Sequence, residues 1–190
     1  MNTTNLIYAL YSDNRTVFRL KDVAMLTKET DFVSLNQRLH YFVRTGKLQN
    51  PRKGIYCKQN YNLSELACRI YIPAYISLEF VLQRAGVVFQ YDSSFTMVSY
   101  LSREIDIEEN TFSFRKIKNE ILLSPQGIER KENGINIATA ERAFLDIIYL
   151  NGKMYFDYLH SLDKEKIEQI LPIYQSKTMN ENVAKILKDV

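Results

Sequence analysis

Residues that bind metals or carry redox chemistry are scarce in this sequence. It has two cysteines, Cys57 and Cys68, two histidines and no tryptophan among 190 residues. The cysteines are eleven positions apart, and no other cysteine or histidine lies near them at the spacing of a zinc site. We therefore expect no metal site, and we expect both cysteines to be the reduced thiols that are typical of a cytoplasmic protein.

Motifs of catalysis and nucleotide binding are also missing. None of the six glycines belongs to a G-x-G-x-x-G or G-x-x-x-x-G-K-[ST] loop, and H-E-x-x-H, G-x-S-x-G and the Gly-Ser plus paired-Asp pattern of nucleotidyltransferases do not occur. Only His40 and His160 offer imidazole groups for acid–base work. An acidic run is predicted to be a solvated loop: Glu104, Asp106, Glu108 and Glu109. We expect no catalytic residues and no cofactor, and we do not expect an enzyme.

Long hydrophobic runs are absent. No segment approaches the roughly 18 consecutive apolar residues that a membrane span needs. The first residues, MNTTNLIYALYSDNRT, lack the basic start and the small-residue cleavage site of a signal peptide. These patterns predict a cytoplasmic protein with no membrane partner.

Positive charge is concentrated in the first third of the chain. Residues 1–60 contain ten Lys and Arg against four Asp and Glu, net +6, whereas residues 61–190 contain fifteen against eighteen, net −3. No acidic residue occurs between Phe32 and Ser64, and six basic residues fall in this acid-free window: Arg38, Arg44, Lys47, Arg52, Lys53 and Lys58. Such a window indicates a polyanionic partner, because neutralising phosphates releases condensed counterions.

The order of predicted elements in the first 70 residues is that of a winged helix-turn-helix. Apolar spacing and cap residues predict helices over 5–11, 21–28 and 33–45, with a short strand over 15–18 between the first two. After Gly46, a turn at Asn50-Pro51 and Gly54 predicts a hairpin, or wing. A connecting helix over 61–70 follows, and the domain is expected to end there.

The third helix is predicted to present a polar, aromatic and basic face. Leu35, Leu39, Phe42 and Val43 have the spacing of a buried stripe, which turns the remaining positions outward. We expect base contacts from Gln37, Tyr41 and Arg44 and phosphate contacts from basic residues of the helix and wing. The full predicted DNA-binding set is Ser34, Gln37, Arg38, His40, Tyr41, Arg44, Lys47, Arg52 and Lys53.

Residues 71–190 are predicted to form a second, α+β domain with a small, mainly antiparallel sheet and C-terminal helices. The fold class of the whole chain is therefore α+β, with an N-terminal winged helix-turn-helix. Strands are predicted over 95–100, 111–117, 120–123 and 127–131, and helices over 77–85, 140–150, 163–171 and 180–188. Ser77 and Thr139 are interpreted as helix caps.

Two motifs of this second domain carry a family resemblance. Y-I-S-L-E at 75–79 is followed by F-S-F-R-K-I at 112–117 and by A-T-A-E-R-A-F-L-D at 138–146, all behind a predicted wing that ends in G-I-Y at 54–56. Over nearly its whole length the chain resembles the AbiEi-type antitoxins of type IV toxin–antitoxin systems, which act in abortive infection and phage defence. The resemblance implies a repressor that binds double-stranded DNA at its own promoter and counteracts a nucleotidyltransferase-like toxin without a stable complex.

Two other functions remain open from the sequence. The chain is alternatively a protein-interaction adaptor whose winged helix has lost affinity for DNA, although an adaptor has no reason to keep an acid-free window. It is alternatively a ligand-responsive transcriptional regulator outside a toxin–antitoxin system, which the gene immediately downstream would decide.

Overall fold

The computed structural model describes residues 3–90, 93–131, 133–152 and 154–189. The chain is α+β and divides into two compact units. The first comprises the residues up to Ile70 together with 133–134, and the second comprises the remaining described residues. In the part of the chain described, no helix is long and apolar enough to cross a membrane.

The first unit combines helices with a small antiparallel sheet. Strand β1 pairs with β3, and β3 pairs with β2, so that β3 is central. The predicted helices, first strand and hairpin are confirmed, with bounds that differ by at most two residues. The elements are α1 (Thr3–Ser12), β1 (Val17–Arg19), α2 (Leu20–Thr27), α3 (Phe32–Arg44), β2 (Gln49–Arg52), β3 (Ile55–Cys57) and α4 (Leu63–Ile70).

Local chemistry fixes both ends of α3. The Asp31 side chain accepts hydrogen bonds from the backbone N–H groups of Val33 and Ser34 at 3.1 Å each, which satisfies two donors that a helix start leaves unpaired. After Thr45 the chain turns at Gly46 with a φ of +69°, a conformation that favours glycine. The apolar stripe of α3 packs into one core with α1, α2 and the sheet: Leu6, Leu10, Phe18, Leu35, Leu39 and Phe42.

The hairpin reverses three residues later than the predicted turn at Asn50-Pro51. Asn50 and Pro51 belong to strand β2, and the reversal falls at Lys53-Gly54, where Gly54 has a φ of +79°. The Asn50 side-chain amide holds the turn by donating to the backbone carbonyls of Arg52 and Ile55 at 2.9 and 2.6 Å. Lys53 therefore lies at the tip.

The second unit contains a six-stranded mixed sheet flanked by helices, in the order β6-β7-β5-β4-β9-β8. Three neighbouring pairs are antiparallel, whereas β5/β7 and β4/β9 are parallel, so the prediction of a mainly antiparallel sheet is only partly correct. The elements are β4 (Ala74–Ile76), α5 (Glu79–Arg84), β5 (Phe95–Ser99), β6 (Arg103–Ile107), β7 (Asn110–Lys116), α6 (Asn119–Leu122), β8 (Ile128–Arg130), β9 (Asn136–Ala138), α7 (Ala140–Asn151), α8 (Lys164–Ile170) and α9 (Lys177–Ile186).

In this unit one strand prediction is wrong and one loop prediction is only partly correct. Residues 120–123 were expected to be a strand, but Ile121 and Leu122 are adjacent and both buried, which one turn of helix allows and a strand with a single buried face does not. The predicted acidic loop is correct for Glu108 and Glu109, which form the turn between β6 and β7, whereas Glu104 and Asp106 lie in edge strand β6 opposite Ser113 and Thr111.

Candidate nucleic-acid interface

Helix α3 presents a polar face opposite its buried stripe. Gln37, Tyr41 and Arg44 are exposed, and 45% of the Tyr41 surface is accessible. The Arg44 guanidinium carbon lies 5.9 Å from the centroid of the Tyr41 ring, at the outer limit of a cation–π contact. This face can offer an amide, a phenol and a guanidinium to the edges of bases.

Arg38, a predicted phosphate contact, is paired with an acidic side chain of the same unit. Its Nη2 atom lies 2.6 Å from Oε2 of Glu29, and its side chain is only 17% exposed. The hydrogen bond from Arg38 holds the pKa of the Glu29 carboxyl below its ordinary value. The positive charge of Arg38 is thus partly balanced by a neighbouring carboxylate. Ser34, also predicted as a contact, is half-buried and uses its backbone N–H in the helix cap.

His40 is exposed at the edge of the same face, and its ring contacts a buried tyrosine. Its ring and that of Tyr56 meet edge to face, with centroids 5.9 Å apart. The Tyr56 hydroxyl donates to Oδ1 of Asn36 at 2.6 Å and lies 3.5 Å from Nε2 of His40. Burial raises the pKa of Tyr56, so that its hydroxyl stays a donor. The contact fixes where the imidazole sits.

The remaining predicted contacts lie around the hairpin. Lys47 is exposed, its Nζ is 5.9 Å from the Phe42 ring centroid, and its carbonyl accepts a hydrogen bond from the Tyr11 hydroxyl at 2.8 Å. Arg52 is half-buried, and Lys53 is exposed at the tip.

A groove of about 390 Å³ lies between the start of α2, the start of α3 and the hairpin tip. Two of its basic lining residues, Arg52 and Lys53, were expected, but Arg19 and Lys21 were missed. The available signal was weak: both are basic, but they precede the acid-free window and occupy a strand–helix junction. No acidic side chain is among the nine residues that line the groove.

The motif residues of the second unit form a buried polar network. Arg142 and Asp146 are fully buried, with Nε of the arginine 3.1 Å from Oδ1 of the aspartate. The carboxylate also accepts hydrogen bonds from the hydroxyls of Tyr75, Ser77 and Tyr174, at 2.9, 2.8 and 2.6 Å. Strand β4, helix α7 and the segment at Tyr174 are thereby joined.

Each side-chain nitrogen of Arg142 has at least one hydrogen-bond partner in this network. Its Nη1 donates to the Gln126 carbonyl and its Nη2 to the Ile121 carbonyl, each at 2.7 Å, and Nη2 also donates to the Tyr75 hydroxyl at 2.9 Å. Desolvation works to lower the pKa of Arg142, but the charge of Asp146 together with the contributions of Tyr174 and Tyr75 outweighs it, and the net shift of the pKa is upward. Burial raises the pKa of Tyr75 and Tyr174 well above the ordinary value. The network therefore has a structural role, because it connects several segments of the second unit through buried hydrogen bonds.

Of the two helix-cap predictions for these motifs, one is confirmed and the other is wrong. Thr139 caps α7 by accepting the backbone N–H of Arg142 at 3.3 Å, which is confirmed. Ser77 does not cap α5: its hydroxyl is committed to Asp146, and the helix begins after Leu78, which has a φ of +60°. The signal missed in the sequence was an Arg and an Asp four positions apart, with apolar residues between and after them, so that both charges have to be buried together.

Among the residues that the structure describes, no three His, Cys, Asp or Glu side chains come together in a way that could hold a metal ion. Cys57 and Cys68 are buried and form no disulfide. No protein-family model matches the sequence, and no curated protein is significantly similar to it.

Proposed function

We propose that the first unit is a winged helix-turn-helix that binds double-stranded DNA, with α3 as the recognition helix and the β2–β3 hairpin as the wing. The observation that carries the proposal is the acid-free window from Phe32 to Ser64, which covers both the exposed face of α3 and the hairpin tip. A recognition helix and a wing contact DNA side by side, so one sign of charge is required on both.

The exposed residues take different roles in this proposal. Gln37, Tyr41 and Arg44 contact base edges in the major groove, since amide and guanidinium groups pair with adenine and guanine. Lys47, Arg52 and Lys53 contact phosphates, which position the protein without reading sequence. Arg38 contributes less than its position in the sequence suggests, because Glu29 balances its charge.

We further propose that the chain represses its own promoter and is the antitoxin of a type IV toxin–antitoxin system. The support is the resemblance to AbiEi-type antitoxins in the Y-I-S-L-E and A-T-A-E-R-A-F-L-D segments. The partner gene would encode a nucleotidyltransferase-like toxin, which the chain counteracts without a stable complex. In this proposal the protein is neither an enzyme nor dependent on a cofactor.

The test is fluorescence anisotropy of the full chain with its own upstream DNA and with random DNA, at two salt concentrations. A variant carrying Arg44→Ala, Arg52→Ala and Lys53→Ala is compared with a control carrying Lys164→Ala, Lys177→Ala and Lys185→Ala, which removes the same charge from the second unit. We expect steeply salt-dependent binding that only the first variant loses, with a slope flatter by about 0.9 per lost phosphate contact.

Equal affinity for upstream and random DNA would reject the autorepressor and favour the protein-interaction adaptor. The antitoxin role has a separate test, in which the downstream gene is induced in cells with and without this chain. A downstream gene that is harmless when induced alone would contradict the antitoxin role and favour a ligand-responsive regulator.

A further inference from the structure

The groove beside the hairpin tip has a defined chemical character. Its rim carries four cations from two parts of the chain: Arg19 and Lys21 at the start of α2, and Arg52 and Lys53 on the hairpin. Its lining also includes the apolar side chains of Ile55, which is buried, and Phe32, which is 46% exposed. A lining that combines cationic and apolar side chains fits a phosphodiester together with its attached sugar better than it fits a small hydrated ion.

The four cations differ in how firmly hydrogen bonds hold them. The Arg19 guanidinium donates to the carbonyls of Arg69 and Ile70 at 2.8 and 2.9 Å, so its charge is held in place. Lys21 and Lys53 are exposed and can adjust to a ligand. A fixed guanidinium flanked by adjustable ammonium groups is suited to an anion whose exact position varies, as backbone phosphates do.

We propose that this groove binds a phosphate of the DNA backbone and that Lys21 contacts this phosphate. The site is separate from the exposed face of α3. The inference rests on the proposed DNA binding of the first unit. It adds an orientation, because the groove adjoins Phe32 at the start of α3. A backbone held there brings the first half of α3, with Gln37, nearer to the DNA than its last turn at Arg44.

The test uses Lys21→Ala, with Lys185→Ala as the charge-matched control and Lys21→Arg as the rescue. By anisotropy at 0.1 M salt, Lys21→Ala weakens binding roughly fivefold to tenfold on upstream and random DNA alike and flattens the salt slope by about 0.9. Lys21→Arg and Lys185→Ala bind as the parent protein does. Circular dichroism of each variant verifies that α2 is intact.

Three outcomes overturn the inference. Unchanged affinity and slope in Lys21→Ala, while Gln37→Ala and Arg44→Ala bind less tightly, remove the groove but leave the proposed DNA binding standing. Failure of the parent protein to bind DNA removes both. Saturable binding of dAMP that Lys21→Ala abolishes, with DNA affinity unchanged, shows that the groove takes a free nucleotide and not the DNA backbone.

Discussion

Nη2 of Arg38 lies 2.6 Å from Oε2 of Glu29, across the connection between α2 and α3. Glu29 lies three positions before the acid-free window, and through this pair it partly cancels one of the six cations within the window. The pair therefore reduces the positive charge that α3 can offer a phosphate.

Replacing Glu29 with Gln is expected to tighten DNA binding. The amide cannot balance the Arg38 charge, which then becomes available to a phosphate, and repulsion between DNA and the carboxylate disappears. We expect a gain of roughly threefold to tenfold near 0.1 M salt and a steeper salt dependence. Asp163→Asn is the matched control, because it removes a carboxylate that is paired with Lys166 in the second unit. An unchanged salt slope in Glu29→Gln would contradict the prediction.

The same pair predicts a dependence of stability on pH. The hydrogen bond from Arg38 lowers the folded-state pKa of Glu29 below the ordinary value of 4.5. A depressed carboxyl pKa stabilises the folded state above the ordinary pKa, and this contribution is lost as the pH falls through the folded value. Parent protein should therefore lose more stability than Glu29→Gln as the pH falls below about 4.5. Urea denaturation at pH 7 and at pH 3.5 measures the difference, and equal losses in both proteins would exclude it.

Two variants of Asp31 separate its role as the cap of α3 from the effect of its negative charge. Asp31→Ala removes the acceptor of the Val33 and Ser34 N–H groups and should lower the free energy of unfolding by about 1 kcal/mol. Asp31→Asn keeps an acceptor, since asparagine caps about as well as aspartate, and retains most of that stability. Both variants remove a negative charge beside the proposed interface. If weaker DNA binding occurs in Asp31→Ala and not in Asp31→Asn, the ordered start of α3 is needed for recognition.

The first unit was more predictable from sequence than the second because its signals are local. The stripe of Leu35, Leu39 and Phe42, the cap at Asp31 and the glycine after Thr45 each lie within α3 or next to it. In the second unit, β4 is only three residues long, and its neighbours β5 and β9 come much later in the chain. Nothing local distinguishes such a strand from a loop, so the mixed sheet was not foreseen.

The candidate site shows the same difference between local and distant information. Helical periodicity was sufficient to turn Gln37, Tyr41 and Arg44 outward. It could not reveal that Arg38 meets Glu29, because that contact depends on the path of the connection between two helices. Lys21 was missed for a related reason: it joins the hairpin tip around one groove only after β1 has paired with β3.

The buried Arg142–Asp146 pair gives the strongest expected effect on stability. Asp146→Asn leaves the arginine charge buried without an anion, and we expect a loss of about 3–5 kcal/mol in the free energy of unfolding. Tyr174→Phe removes one of several donors to the carboxylate and should cost about 1 kcal/mol. Urea denaturation followed by circular dichroism measures both variants. Equal costs for the two would mean that the ion pair is no more important than a single neutral hydrogen bond.

A double variant tests whether the pair acts as a unit. Arg142→Met combined with Asp146→Leu replaces both charges with apolar groups, so neither is left buried without its partner, and the combined loss should be smaller than the sum of the single losses. The double variant should still be less stable than the parent protein, because the carbonyls of Ile121 and Gln126 lose the donor that Arg142 supplied. Additive losses in this cycle would show that Arg142 stabilises the unit mainly through those carbonyls and that its charge is balanced without Asp146.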